Sequence, residues 1–227
     1  MSVLFPSQTN SRNFSPIKVL PPHWVSSYKW AEGTRYMHSA TINSLQGFKD
    51  EAQNDGNPRV FLERLSPLHV NWHNQPSASR RIGFLIFHWH VVAHFKELGL
   101  VDNMGVNPIY TVAVFSPGGA YSEADFNDAM TGVSASQSLQ GLADFSHAIE
   151  GWHNEAHMVI ADKTGNPLMD PGRNVFYRRF WRLHLFIDQR FESEMTSYAQ
   201  AAHPQLTTSA QVIDHLENSH HSWVGLI

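Results

Sequence analysis

Apolar residues recur every three or four positions along most of this chain. That spacing places them on one face of an α-helix, where they can pack against other helices. The breaks between the apolar segments carry turn sequences, such as NDGNP at residues 54–58. The pattern predicts helices over residues 32–53, 59–73, 82–100, 138–161, 175–200 and 208–220.

Two of the predicted helices contain residues that bear on their geometry or on which face is buried. Pro67 lies inside the second helix, and because proline removes a backbone N–H we expect it to kink this helix or to reset its start. In the third helix, His88 shares one face with Val91 and Phe95, so we expect its imidazole to point toward the core. Gly99 follows, and glycine is the usual residue just beyond a helix end.

The rest of the chain is predicted to be irregular. Residues 101–141 contain one apolar run, IYTVAVFS, which predicts a short strand or a buried extended segment. The proline-marked residues 1–30 predict an extended N-terminal arm, and residues 192–227 a peripheral C-terminal segment. No internal repeat or linker divides the chain, and its length suits one core. We therefore expect one mainly α-helical domain over residues 1–227, with long loops and few short strands.

Composition and charge exclude several classes of function. The chain is 42% hydrophobic and 16% charged, as ordinary globular proteins are, and it has no apolar run long enough for a membrane span. A formal net charge of -4 leaves no basic surplus for a nucleic-acid backbone. We therefore expect neither nucleic acid nor a membrane as a partner. The N-terminus lacks the pattern of a signal peptide, which predicts a cytoplasmic protein unless a helper protein exports it.

Histidine carries the candidate chemistry. The chain has 15 histidines and no cysteine, so a site for a soft metal would be built from imidazoles. His153 and His157 are four residues apart, which places both on one face of a helix within reach of one metal ion. His184, on the following helix, could supply a third imidazole. Three neutral imidazoles suit zinc, copper or iron, whereas magnesium and calcium prefer oxygen ligands.

A second group of histidines repeats this pattern. A single pair four residues apart is more often structural or solvent-exposed than metal-bound. Here, however, His69 and His73 form a second pair, and His88, His90 and His94 follow on the next, apolar helix. Packing alone does not readily explain two such groups on two pairs of helices, so we expect metal binding.

The segment HNEAH, followed by DPGRNVFYRRFWRLHLFID, resembles the second copper site of the tyrosinase and hemocyanin type-3 copper superfamily. In that site a His-Asn-x-x-His helix precedes an Asp-Pro turn and a helix with the pattern Phe-Trp-x-x-His-x-x-Ile-Asp. The IEGW segment just upstream is similar to the Glu-Gly-Trp segment of bacterial tyrosinases. The resemblance implies that His153, His157 and His184 bind one copper ion, and that Asp188 supports them or is structural.

The first copper site of the family is matched less closely. FLERLSPLHVNWHN resembles the helix that presents the first ligand, and GFLIFHWHVV resembles the Phe-Leu-Pro-Trp-His-Arg segment that presents the third. The usual proline and arginine are missing, and the loop before this segment contains no histidine to serve as the second ligand. The resemblance implies His69, His73 and His88 as ligands, with His90 and His94 as alternates.

The resemblance also implies two catalytic residues. Glu150 and Asn154 match a glutamate and an asparagine that, in bacterial tyrosinases, are thought to hold a water that takes the phenol proton. A phenol, with a pKa near ~10, is a poor copper ligand until it is deprotonated, so general-base assistance is useful here. Glu150 equally fits a solvated carboxylate near the start of a helix, and Asn154 a local hydrogen bond.

The implied fold has an antiparallel four-helix bundle as its core, and the implied function is that of a copper-dependent oxidoreductase with two copper ions and dioxygen as co-substrate. Its substrates would be small aromatic molecules, namely phenols, o-diphenols or o-aminophenols, which it hydroxylates, oxidises or both. An enzyme is favoured over an oxygen carrier because carriers work by assembly and with a covering domain.

Two alternatives stay open at this point. One is a copper- or oxygen-binding protein without oxidase turnover, and the other is a related copper oxygenase that acts on an amine or another nitrogen centre. The site would be open, or covered by the N-terminal arm or by the partner subunit of a homodimer. A helper protein could load the copper.

Overall fold

The computed structural model describes residues 30–74, 81–106, 123–133, 137–165 and 167–218. These residues form α-helices joined by short turns, with no strand among them, so the prediction of a mainly α-helical fold is confirmed. Two short 3-10 helices, Pro167–Met169 and Asn174–Phe176, lie in the loop that ends at Tyr177. The α-helices are α1 (Trp30–Asn54), α2 (Arg59–His73), α3 (Arg81–Glu97), α4 (Leu100–Asn103), α5 (Glu123–Ala129), α6 (Leu139–Thr164), α7 (Arg178–Ala202) and α8 (Ser209–Asn218).

All six helices predicted from the apolar pattern are present, as α1, α2, α3, α6, α7 and α8. Local signals define several of their ends. The Ser138 side chain accepts a hydrogen bond from the Gly141 N–H at the start of α6, and Gly165 ends that helix with φ +59°. Gly99 follows α3 with φ +66°. Glycine suits both ends because a Cβ atom disfavours this left-handed conformation.

The expectations for Pro67, for the irregular segments and for the C-terminal segment have different outcomes. Helix α2 runs without interruption from Arg59 to His73, so Pro67 does not reset its start. The predicted strand IYTVAVFS and the N-terminal arm before Trp30 lie outside the described residues. The described part of the C-terminal segment, residues 192–218, supplies buried side chains, including Met195 and Tyr198 of α7, and so contributes to the core.

Helix α3 lies at the centre of the described structure. It is apolar on nearly every side, and its residues from Ile82 to Phe87 are buried. A helix of this kind is stable only when it is surrounded, and α3 contacts α1, α6 and α7. The eight α-helices share one cluster of buried hydrophobic residues. None of the described helices combines the length and the apolarity that a bilayer span requires.

Candidate metal centre

Six histidines, from helices α2, α3, α6 and α7, meet inside this core. Five of the six are buried and the sixth, His73, is half-buried. Ring centroids lie 4.4 Å apart for His69 and His73, 4.3 Å for His153 and His157, and 5.0 Å for His88 and His184. We refer to His69, His73 and His88 as the first trio, and to His153, His157 and His184 as the second trio.

The two trios form one cluster. The ring of His88 lies 5.6 Å from that of His153, and the ring of His73 lies 5.8 Å from that of His153. These distances between trios are as short as several within a trio. The i, i+4 spacing of each pair explains why both of its members face the cluster. The central position of α3 brings His88 close to histidines of both trios.

Two sets of three ring nitrogens lie close enough to hold a metal ion. The first trio is one set, and His88, His153 and His184 form the other, with all the nitrogens of a set within 4.8 Å of one another. His88 therefore belongs to both sets. His157 adjoins the second set, with its ring 5.6 Å from that of His184.

Hydrogen bonds to the backbone fix the tautomer of most rings. The Nδ1–H of His88 donates to the carbonyl oxygen of Phe84 at 2.7 Å, and that of His184 donates to Phe180 at 2.8 Å. Both carbonyls belong to the preceding turn of the same helix. A carbonyl oxygen can only accept, so the proton must lie on Nδ1, and each neutral ring presents a lone pair at Nε2.

The second trio contains a contact that metal binding explains. The Nε2 atoms of His153 and His184 are 3.2 Å apart, while Nδ1 of His153 lies 3.2 Å from Oδ1 of Asn154. With both Nδ1 atoms donating elsewhere, the Nε2 atoms face each other as two acceptors, which is not a hydrogen bond between neutral rings. Two nitrogens ~2 Å from one tetrahedral ion lie about 3.3 Å apart, so this spacing suits two ligands of one metal.

Two further nitrogens in the cluster have no hydrogen-bond partner among the described residues. They are the Nε2 atoms of His88 and His157, and both are buried. Leaving a buried polar atom unsatisfied costs about 1–3 kcal/mol, and a metal ion bound by the lone pair would remove that cost. The residues present therefore fit a metal that binds imidazole nitrogen.

Burial keeps these imidazoles neutral. It lowers the pKa of His69 to about 3 and that of His157 to about 4. The pKa values of His88, His153 and His184 also lie well below the ordinary value, first because of burial and then because neighbouring histidines repel a proton. Protons thus compete weakly with a metal for these lone pairs at neutral pH.

Aromatic side chains cover the cluster. Phe180 stacks on His184 with ring centroids 3.8 Å apart, and Phe84 lies 4.3 Å from His88. Trp72 lies against His73 at 5.2 Å. These rings limit the access of water to the imidazoles, which strengthens electrostatic interactions inside the cluster.

The two candidate catalytic residues lie beside His153. Glu150 is buried and precedes His153 by one turn on the same face of α6. Asn154 is exposed, and its amide oxygen accepts from the Nδ1–H of His153. Asp188 forms an ion pair with Lys96, whose Nζ is 2.6 Å from Oδ2.

The structure distinguishes among the alternates on α3. His90 places Nε2 2.7 Å from Oε1 of Glu217, and His94 places Nδ1 3.3 Å from Oε2 of Glu97. Neither histidine belongs to the two sets of converging nitrogens, whereas His88 belongs to both.

The backbone supplies acceptors that sequence reasoning missed. The loop after α6 directs the carbonyl oxygen of Leu168 at His157 and that of Pro171 at His69, at 2.7 and 3.2 Å. Carbonyl groups are common to all residues, so the sequence carries no direct signal for them. The sequence DPG at residues 170–172 indicates a turn in this loop but not which carbonyl groups face the histidines.

Comparison of the chain with protein-family models, with curated proteins and with solved structures found no match. The family named from the histidine segments therefore stays an expectation from the sequence. The structure itself establishes a mainly helical protein whose buried histidine groups could hold a metal ion.

Proposed function

We propose that this protein is a copper-dependent oxidoreductase that uses dioxygen to hydroxylate or oxidise phenols, o-diphenols or o-aminophenols. The observation that carries the proposal is the convergence of six imidazoles from four helices on one buried cluster. No carboxylate belongs to the converging sets among the described residues. A donor set of imidazoles alone favours copper, zinc or iron over magnesium or calcium.

The sequence resemblance selects copper among these metals and assigns one ion to each trio. His69, His73 and His88 would hold the first ion, and His153, His157 and His184 the second. When bound, such a copper pair supplies the two-electron oxidation of an aromatic substrate by dioxygen. The side chains described here have the remaining tasks of orienting the ligands, excluding water and moving protons.

Glu150 is proposed to accept the substrate proton. Conversion of an o-diphenol into its o-quinone releases two electrons and two protons, so a proton acceptor is needed close to the metal ligands. Glu150 is buried one helical turn from His153, and this position supports the choice of its carboxylate as the acceptor. Asn154 holds the ring of His153 through its Nδ1–H and keeps Nε2 directed into the cluster.

Oxygen consumption tests this proposal. Copper-loaded protein is mixed in turn with phenol, catechol and o-aminophenol, and an oxygen electrode records uptake. We expect uptake that depends on both copper and substrate, and a loss of at least ~100-fold in His88→Ala, because this ring belongs to both nitrogen sets. His90→Ala is the matched control, since its imidazole pairs with Glu217 outside the cluster.

Two results would contradict the proposal. Copper-loaded protein that consumes no oxygen with any of the three substrates would select a copper- or oxygen-binding protein without turnover. Equal losses in His88→Ala and His90→Ala would show that the cluster is not the site of the reaction.

One observation favours a second candidate function. The converging nitrogens of the second set come from His88, His153 and His184, and His88 is shared with the first set. A single ion held by these three rings would make the protein a related copper oxygenase, acting for example on a nitrogen centre. One metal ion per chain with oxygen uptake on an amine, and none on phenols, would support this candidate.

A further inference from the structure

The loop between α6 and α7 contacts one histidine of each trio. The carbonyl oxygen of Leu168 accepts the Nδ1–H of His157 at 2.7 Å. Three residues later, the carbonyl oxygen of Pro171 accepts the Nδ1–H of His69 at 3.2 Å. A single short segment thus fixes the ring orientation of a ligand in the first trio and of another in the second.

Hydrogen bonds within this segment make it rigid. The side-chain carboxylate of Asp170 accepts a hydrogen bond from the N–H of Gly172 at 2.9 Å. The backbone carbonyl oxygen of Asp170 accepts from the N–H groups of Arg173 and Asn174, both at 2.9 Å. The N–H of Asp170 in turn donates to the carbonyl oxygen of Pro167 at 3.1 Å. Leu168 and Pro171 therefore cannot move independently of each other.

Two buried side chains hold the segment in place, one from α2 and one from within the segment. The hydroxyl of Ser66, on α2 three residues before His69, donates to the carbonyl oxygen of Gly172 at 2.6 Å. The amide of Asn174 donates from Nδ2 to the carbonyl oxygen of Leu168 at 3.2 Å. Ser66 is 9% exposed and Asn174 2%, so water does not readily replace either bond.

The turn within the segment also favours a glycine. A Cβ atom at Gly172 would lie 3.3 Å from Oδ1 of Asp170 and 3.5 Å from Cγ2 of Val70. The first of these distances is tighter than ordinary van der Waals contact. The absence of a side chain thus avoids crowding against the Asp170 carboxylate within the segment, while the distance to Val70 on α2 is an ordinary contact.

We propose that Ser66 and Asn174 are positioning residues that hold the orienting loop, defined as residues 167–174, and that this loop couples the two metal ions. The inference rests on the proposed function, because it assumes that each trio binds an ion. Loss of the Ser66 bond frees the loop from α2, and loss of the Asn174 bond loosens the carbonyl of Leu168 within the loop. Because the loop moves as one body, the rings of His69 and His157 should both lose their fixed orientation in either case. Loss of such outer hydrogen bonds typically lowers metal affinity about 10- to 100-fold.

Titration with Cu²⁺ against a competing chelator tests the coupling. We expect Ser66→Ala and Asn174→Ala each to weaken the binding of both ions by about tenfold or more. Ser197→Ala is the matched control, because it removes a hydroxyl that donates to a backbone carbonyl on an exposed face of α7. Unchanged binding in the anchor variants, or weakening of only one ion in each, would overturn the proposal.

A metal-free measurement separates this inference from the proposed function. Long-range ¹H–¹⁵N NMR reports which ring nitrogen of a neutral histidine carries the proton. In the wild-type chain we expect the Nδ1–H form for His69 and His157, and a mixture of both forms for these two rings in each anchor variant. Unchanged tautomers would overturn the loop's role in orienting the two rings. Absence of copper binding in the wild type, with the tautomers shifted in the anchor variants, would overturn the proposed function and the coupling of two ions but leave the orienting role of the loop.

A second pair of variants covers the case in which Ser66→Ala does not fold. Ser66→Thr and Ser66→Val have nearly the same shape, and only threonine keeps the hydroxyl. Wild-type copper affinity and tautomers in the threonine variant, with losses in the valine variant, would support the anchor. Equal behaviour of the two variants would overturn it.

Discussion

Each imidazole of the second trio has its Nδ1 atom in contact with an oxygen, so its other nitrogen is available as a ligand. The oxygens are the carbonyl groups of Phe180 and Leu168 and the side chain of Asn154. Because the acceptors lie on three different elements, movement of one element cannot break all three hydrogen bonds. At the residue scale, the protein's contribution to a metal site is therefore the choice of tautomer and ring angle.

Glu150→Gln tests the proposed proton acceptor. Glutamine keeps the size of the side chain but cannot take a proton, so we expect the rate of phenol oxidation to fall by about 100-fold. Copper content should stay at the wild-type level, because Glu150 is not in either converging set of nitrogens. The measurement is kcat together with copper per chain.

Glu155→Gln is the control for this variant, since Glu155 is an exposed carboxylate on the same helix. It should keep the wild-type rate. A wild-type rate in Glu150→Gln, or a loss of copper from it, would contradict the role given to this carboxylate.

At the scale of elements, the ends of α6 determine where its two histidines stand. The helix begins at the Ser138 cap and ends at Gly165, which adopts φ +59°. His153 and His157 lie well inside these limits, and Gly151 is the helical residue two positions before His153. Gly165 needs the conformational freedom of glycine to adopt its positive φ, whereas Gly151, inside the helix, does not. The two glycines therefore have opposite effects on the stability of α6.

Gly151→Ala and Gly165→Ala should shift stability in opposite directions. Open space surrounds a Cβ atom at both positions, so packing does not decide the outcome. Alanine at Gly151 favours the helix and should raise the free energy of unfolding by about 0.5–1 kcal/mol. Alanine at Gly165 is strained and should lower it by about 1 kcal/mol. Urea unfolding of both variants measures the two shifts, and shifts of the same sign would contradict the account of α6.

Burial of the ionised Asp188 carboxylate, which pairs α7 with α3, lowers stability at neutral pH. Burial raises the pKa of Asp188 to about 6, and the attraction of Lys96 opposes this rise only in part. Between pH 3.8 and about 6 the folded chain keeps a proton that the unfolded chain has lost, so this carboxyl makes stability fall as pH rises. The pKa difference corresponds to about 3 kcal/mol at pH 7.

Asp188→Asn removes this effect, because asparagine does not titrate. We expect the free energy of unfolding of the variant, relative to wild type, to rise by about 2–3 kcal/mol between pH 4 and pH 7. Lys96 is 40% exposed and can turn to water when its partner is lost. Denaturant unfolding at several pH values tests this, with Asp50→Asn on the exposed side of α1 as control. A difference that is flat or falls with pH would contradict it.

At the scale of the whole molecule, local patterns predicted more than long-range ones. The i, i+4 spacing identified His69 with His73 and His153 with His157, because a helix brings such residues together on its own. The choice of His88 over His90 and His94 was left open, because it depends on which side of α3 faces the other helices. The carbonyl oxygens of the orienting loop were missed entirely, because every residue has one.

The buried cluster should also make the metal-free protein sensitive to acid. Below pH 6.5 the unfolded chain protonates its histidines, whereas the folded pKa is about 3 for His69 and about 4 for His157. Stability therefore falls as pH drops from 6.5 toward 4. Asp188 acts in the opposite direction, but it is one group against several histidines.

We expect the free energy of unfolding of metal-free protein to drop by several kcal/mol between pH 7 and pH 4.5, as measured by denaturant titration. His157→Leu should show a smaller drop because one buried imidazole is gone. His147→Ala, which alters an exposed histidine, should follow the wild-type profile. A wild-type profile that is flat or rises toward pH 4.5 would mean that the rings are not buried as neutral groups.

The most direct test of a paired copper centre is the number of copper ions per chain. Protein loaded with copper and freed of excess metal is analysed by elemental analysis, and its absorption spectrum is recorded before and after addition of hydrogen peroxide. Our account predicts two copper ions per chain and an intense near-ultraviolet band that appears with peroxide. One copper ion or none, without such a band, would contradict the account.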